Sequence, residues 1–323
     1  MDPIQHARSL LREGRLVAFP TETVYGLGAR ADRPEAVAKI FDAKRRPTFD
    51  PLITHFCDAQ AAGEWARMDL RAQRLAQRFW PGPLTLVLPR IHRDGTPLIP
   101  DLVTSGLDSV GVRVPDQPMA LALLTGLDFP VAAPSANPFG YVSPTTAQHV
   151  LDGLGSKVDL ILDGGPCRVG LESTIVDLTS KVARLLRPGG LAREELEEEL
   201  GQSLPWDGFK APVATEAPGM LESHYSPNVG VEVFESEADL IRRAEALLGR
   251  CSILSAAGIE APCRESVVLG QGPAMAVELF ATLRRLDRTS TGVILALLPQ
   301  SEGLGLAVRD RLFRAARSRL GAA

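Results

Sequence analysis

Short apolar runs alternating with helix-period patterns leave this chain few possible folds. The runs "LVAF", "LTLVL", "VGVRV", "FPVAAP", "LILD", "STIVDL" and "ARLLR" read as strands. Between them, helical patterns fall at 3 to 12, 34 to 42, 70 to 79, 117 to 125, 144 to 152 and 191 to 200. Such interleaving predicts an α/β fold. Several strands follow one another after residue 160 without a helix between them, so the sheet is expected to be twisted and mixed rather than purely parallel.

A second constraint is the break at "PWDGFKAPVATEAPGMLESHYSP", which holds four prolines and no amphipathic period. Beyond it, "VGVEVF", "CSILSA", "SVVLG" and "GVILALL" alternate with helical patterns at 236 to 249, 273 to 287 and 307 to 319. This is the pattern of a small three-layer, Rossmann-like α/β domain. The expected organisation is a first domain over 1–204, a linker over 205–228 and a second domain over 229–323. A length of 323 residues suits two cores.

Composition excludes several function classes. With 45% hydrophobic and 23% charged residues the chain is of globular type, not a disordered tail. The net charge of -4 gives no global field toward nucleic acid or anionic membrane, so any basic site is local. No apolar run approaches the roughly 20 residues of a membrane span, which points to a cytoplasmic protein. The four cysteines show no CxxC and the five histidines stand apart, so a zinc site or disulfide framework is not expected.

Five segments carry candidate chemistry. In "FPTETVYGLGARA" the threonines, Thr23 among them, end a strand where small polar ligands bind; Gly26 and Gly28 are read as turn glycines with positive φ. In "DAKRRPTFDPLITH" Lys44, Arg45 and Arg46 follow a helix and are stiffened by Pro47 and Pro51. Some of that charge can serve the helix dipole, but three fixed cations suit a triphosphate. His55 lies in the strand that follows. In "VGVRVP" Arg113 sits in an apolar strand and demands an anion, either a protein carboxylate or a substrate one, with Ser109 just before. In "VAAPSANPFGYVSPTTAQHV" a polar loop holds Ser135, Asn137, Ser143 and Thr145; Ser143 is expected to cap a helix starting near Pro144, a natural phosphate cradle. In "GLESTIVDLTSKVARLLRPGG" Ser173 and Thr174 open one strand and Arg187 closes the next.

Taken in order, "FPTETVYGLGA", "KRRP" with "PLITH", "VGVRVP", "APSAN" with "SPT", "STIVD", "LLRPG" and "APGMLESHYSP" resemble the YrdC family, in the long two-domain form of the L-threonylcarbamoyladenylate synthases. The resemblance covers nearly all of residues 8 to 229. It implies a large basic cavity and a nucleotidyltransferase that makes threonylcarbamoyl-AMP and pyrophosphate from L-threonine, bicarbonate and ATP, with Mg²⁺, toward threonylcarbamoyladenosine in tRNA. Carried over by position, Thr23, His55, Arg113, Ser173 and the backbone near Ala133 would hold threonine. Lys44, Arg46, Asp50, Ser109, Ser135, Asn137, Ser143 and Arg187 would surround ATP, with Lys44 and Arg46 as catalytic cations and Tyr225 of the linker folded over it. Relatives commonly carry Asn where this chain has Asp50, an acid that would repel phosphate unless it helps hold Mg²⁺. A downstream tRNA threonylcarbamoyl transferase is an implied partner, and direct tRNA binding is left open.

Two other readings compete on the residues alone. An RNA-binding translation factor would show a basic stripe interleaved with aromatics, yet aromatics are only 5%. A carbamoyl or acyl transferase would use the same pocket with a preformed donor.

Overall fold

The structure, a computed structural model, describes residues 2–208, 225–289 and 292–316. The first unit contains helices α1 (Pro3–Arg12), α2 (Pro34–Lys44), α3 (Ala59–Gly63), α4 (Leu70–Phe79), α5 (Asp101–Thr104), α6 (Pro118–Thr125), α7 (Ala147–Leu154) and α8 (Arg193–Leu200). Its strands are β1 (Val17–Phe19), β2 (Gly26–Arg30), β3 (Ile53–His55), β4 (Leu84–Pro89), β5 (His92–Arg93), β6 (Thr96–Pro97), β7 (Ser109–Arg113), β8 (Val131–Ala132), β9 (Leu160–Ile161), β10 (Thr174–Asp177) and β11 (Arg184–Arg187). The second unit adds β12 (Gly230–Phe234), α9 (Glu237–Ala246), β13 (Cys251–Ser255), β14 (Glu265–Val268), α10 (Pro273–Thr289), β15 (Val293–Leu297) and α11 (Leu304–Ala316).

Nine strands form one mixed sheet in the order β11-β10-β4-β7-β3-β8-β2-β1-β9. Three of its pairings are parallel, β1 with β9, β4 with β10 and β3 with β7; the rest are antiparallel. Side chains alternate between its faces. Val17 and Phe19 join α1 and α6 in one apolar cluster, while Ala18 faces the larger cluster with α2, α4 and α7.

The expected turn at Gly26 and Gly28 is instead strand β2, and neither glycine has positive φ. The reason is crowding. A Cβ on Gly28 would stand 2.8 Å from the Phe19 ring and 3.0 Å from Val131 Cγ1, so these glycines let β2 pass under a phenylalanine of β1. The hairpin β5–β6 was also not anticipated, although Asp94 and Gly95, both at positive φ, form the Asp-Gly turn that favours one.

The second unit is a parallel sheet ordered β12-β15-β13-β14. Ile253 and Leu295 face α9 through Leu240 and Ala244, while Leu254, Ile294 and Ala296 face α10 and α11, which gives the three layers. The cluster on the α10/α11 side does not stop at this unit. Val24, Val142 and Leu171 of the first unit pack into it beside Tyr225. Most of the expected linker lies outside the described residues; Tyr225, at its far end, is buried and stacked on Phe280 with ring centroids 5.6 Å apart.

Candidate active site

Strand ends of the large sheet and the loops between them line a cavity. His55 ends β3 and Arg113 ends β7; the two are register partners in a parallel pair, so their side chains enter the cavity side by side. Thr23 comes from the turn before β2, and Ala133 and Ser135 from the chain after β8. Ser173 precedes β10, Arg187 closes the antiparallel neighbour β11, and Tyr225 arrives from the second unit's side. Arg46 completes the wall. Nine of the residues singled out from the sequence thus meet in one place: Thr23, Arg46, His55, Arg113, Ala133, Ser135, Ser173, Arg187 and Tyr225.

The expected block of three cations is split by the backbone. Lys44 is the last residue of α2, Arg45 caps it in the left-handed conformation at φ 53°, and Arg46 starts the exit. Consecutive side chains therefore leave in different directions: Arg45 is exposed, while Lys44 and Arg46 are buried. The Lys44 ammonium does not line the cavity; it donates to the carbonyls of Ser135 and Asn137 and holds that loop. Burial, with Arg46 close by, pushes its pKa well down. Arg46 donates to the Asp50 and Pro51 carbonyls, and its Nη2 stands 2.8 Å from the Asp50 carboxylate.

Other positions also differ from expectation. Ser109 lines a second cavity that shares Ile53 with the first. Asn137 is buried and donates to the Pro138 and Tyr141 carbonyls, which shapes the loop and turns its amide away from the cavity. Helix α7 begins at Ala147 with Thr146 as its cap, accepting from the His149 amide, so Ser143 caps nothing. Ser143 instead donates to Glu172, and the proposed cradle at the helix start does not reach the cavity.

Three carboxylates escaped sequence reading as counter-charges. Glu22, fully buried in the turn beside Thr23, accepts from Arg113 Nη2 at 2.7 Å and from the Asp116 amide at 3.0 Å. The anion demanded by Arg113 is thus a protein carboxylate. Arg113 Nε donates to the Gly82 carbonyl, and its Nη1 makes no hydrogen bond among the described residues. Asp50 faces Arg46; burial raises its pKa, against the pull of Arg46, Lys44 and Arg187. Glu172 lines the cavity itself, accepting from Ser143 Oγ and from Arg311 Nε at 2.8 Å. Burial alone would raise Glu172, but Arg311 and Arg187 hold it below the ordinary carboxylate range. Every cavity arginine therefore has a carboxylate nearby, and the cavity is less basic than its cations suggested.

The remaining groups are poised for a small polar ligand. Burial, then Arg113, drives the His55 pKa down to about 3, so the imidazole is neutral near pH 7, and its buried Nδ1 has no hydrogen-bond partner among the described residues. Ser173 shares a hydrogen bond with Thr85 at 2.7 Å and accepts from Arg187. Thr21 and Thr23 pair at 2.7 Å.

Residues 9–189 match the family described as "Telomere recombination", which groups Sua5, YciO and YrdC, and residues 191–317 match the family described as "Threonylcarbamoyl-AMP synthase, C-terminal domain". The chain belongs to the Sua5, YciO and YrdC family, in its two-domain form. The threonylcarbamoyl-AMP synthase of Pyrococcus abyssi is 43% identical over 98% of this chain and 95% of its own length. That of Bacillus subtilis is 38% identical over 99% of this chain and 94% of its own. The crystal structure of P. abyssi Sua5 complexed with L-threonine superimposes with a TM-score of 0.89 at 41% identity, covering 98% of this chain and 94% of that one.

Proposed function

We infer that this chain is a threonylcarbamoyl-AMP synthase, converting L-threonine, bicarbonate and ATP to threonylcarbamoyl-AMP and pyrophosphate. In class terms it is a nucleotidyltransferase acting on the α-phosphate. The observation that carries this reading is the meeting of Arg46, Arg113 and Arg187 with His55, Thr23 and Ser173 in one cavity, in a chain similar over its whole length to synthases of this name.

Threonine's amine forms an N–C bond to the bicarbonate carbon as a C–O bond breaks and water leaves, giving a carbamate. Its oxygen attacks the α-phosphorus, forming the new P–O bond as the bond to the β-phosphate oxygen breaks and pyrophosphate leaves. No protein nucleophile is needed. The task is to bring two anions together and to hold charge on the phosphates. In this reading Arg113 Nη1 grips the threonine carboxylate while Glu22 fixes the guanidinium plane. Neutral His55 accepts a hydrogen from the substrate's amine or hydroxyl, beside Thr23 and Ser173. Arg46 and Arg187 face the phosphates, Tyr225 covers them, and Lys44 acts through the 135–137 loop it holds.

Glu172 on the cavity wall and the buried Glu22 and Asp50 all face arginines, which suits a Mg²⁺ carried in on the nucleotide better than a resident ion. Asp50 is fully buried, faces Arg46 and does not line the cavity, so the ion would be held by the phosphates it arrives on, where it would add charge stabilisation. The test is pyrophosphate release from ATP. Dependence on both threonine and bicarbonate supports the synthase. Turnover with a preformed carbamoyl donor but not with bicarbonate, or RNA binding without turnover, overturns it.

A further inference from the structure

We propose that Arg311, on the C-terminal unit's helix α11, is a positioning residue that sets the charge of the catalytic cavity by holding Glu172. The proposal rests on the synthase reading above. Arg311 is fully buried, and it joins helix α11 of the second unit to Glu172, a charged residue that lines the cavity. Its Nε donates to Glu172 Oε2 at 2.8 Å, and its Nη1 to the Pro188 carbonyl at 3.0 Å, next to Arg187. Asp310 fixes the same Nη1 at 2.6 Å, and the guanidinium lies 4.9 Å from the Tyr225 ring centroid. One side chain therefore touches the carboxylate wall, the chain that carries Arg187, and the tyrosine of the cavity.

The consequence is electrostatic. Glu172 gives one oxygen to Arg311 and the other to Ser143, so both of its oxygens are engaged within the protein. Without Arg311, buried Glu172 would be left with Arg187 as its counter-charge. Arg187 would turn to it and present less charge to a triphosphate. Threonine, met by Arg113 with its own carboxylate Glu22, would be spared.

The experiment measures KM for ATP and for threonine, with thermal unfolding, in the full chain and in Arg311→Met, Arg311→Lys and Arg311→Met/Glu172→Gln. Arg311→Met is expected to raise the ATP KM on the order of 10-fold and to change the threonine KM by less than about 2-fold. Arg311→Lys keeps the charge and is expected to fall between. The double substitution removes both charges and is expected to restore the ATP KM to within about 3-fold of the parent. A merely structural role predicts no rescue. Equal loss of both KM values, parent-like kinetics in Arg311→Met, or a double variant still about 10-fold impaired would each overturn the proposal. Should Arg311→Met fail to fold, Arg311→Lys carries the test: an ATP KM raised by about 3-fold or more with the threonine KM within about 2-fold supports the proposal, and equal loss of both or parent-like values overturn it. A parent chain that releases no pyrophosphate would instead sink the synthase reading.

Discussion

The two sheets treat charge in opposite ways. Strands of the nine-stranded sheet bury His55, Arg113, Asp177 and Arg187, whereas strands of the four-stranded sheet bury only the serines Ser252 and Ser255. The buried charges of the second unit, Arg284, Asp310, Arg311 and Arg314, all lie on α10 and α11, the helices packed toward the first unit. Arg284 donates to the Val142 and Ser143 carbonyls and Arg311 to Glu172. Arg113 and Arg187, sunk in strands, line the cavity, whereas the buried charges of α10 and α11 mark the seam. The second unit reads as a brace for the cavity wall.

The sharpest way to break this contrast is at Arg113. Arg113→Ala is expected to weaken threonine binding far more than ATP binding, by about 100-fold or more. It should also cost about 3–5 kcal/mol of stability, because Glu22 is left buried and unpaired. Calorimetric titration with each substrate checks this, and equal loss of both would refute the assignment. Adding Glu22→Gln should recover stability without recovering threonine affinity.

Gly28→Ala comes next, with an expected loss of about 1–3 kcal/mol in urea unfolding, since the new methyl meets Phe19 and Val131. Gly111→Ala, in the same sheet but with its nearest contacts at 3.5 Å, should cost less than about 1 kcal/mol. At the seam, Arg284→Met should cost about 1–3 kcal/mol by orphaning two carbonyls, with both KM values unmoved. A change in threonine KM there would blur the line between site and brace.

The remaining effect concerns pH. His55 is pushed from 6.5 to about 3, by burial first and then by Arg113, so the unfolded chain takes up a proton that the folded one refuses. Its contribution is therefore complete above about pH 6.5 and is lost as pH falls toward 3, by at most about 1.4 kcal/mol per unit. His149, pushed down to about 4 mainly by burial, adds a parallel slope. Comparing urea midpoints of the parent and His55→Gln between pH 7 and 4 isolates the His55 share; identical slopes would contradict it.

The alternation of apolar runs and helical patterns carried the fold class, and polar residues at strand ends carried most of the cavity. Counter-charges were not legible. Glu22 sits among threonines and Glu172 beside Ser173, where an acid looks like turn chemistry, while their partners lie 91 and 139 residues away. Nothing local encodes such a pairing. The scatter of Lys44, Arg45 and Arg46 depended on a left-handed cap that a non-glycine residue rarely adopts. The Asp94-Gly95 hairpin was legible and overlooked, hidden by the shortness of its strands.

Chain order gives the Arg311–Glu172 pair a history. A ribosome adding about 5–20 residues per second needs on the order of ten seconds to pass from Glu172 to Arg311, 139 positions later. Through that interval the emerging first unit holds Glu172 with Arg187 but without Arg311, so the charge balance of the wall is completed only once α11 has been made.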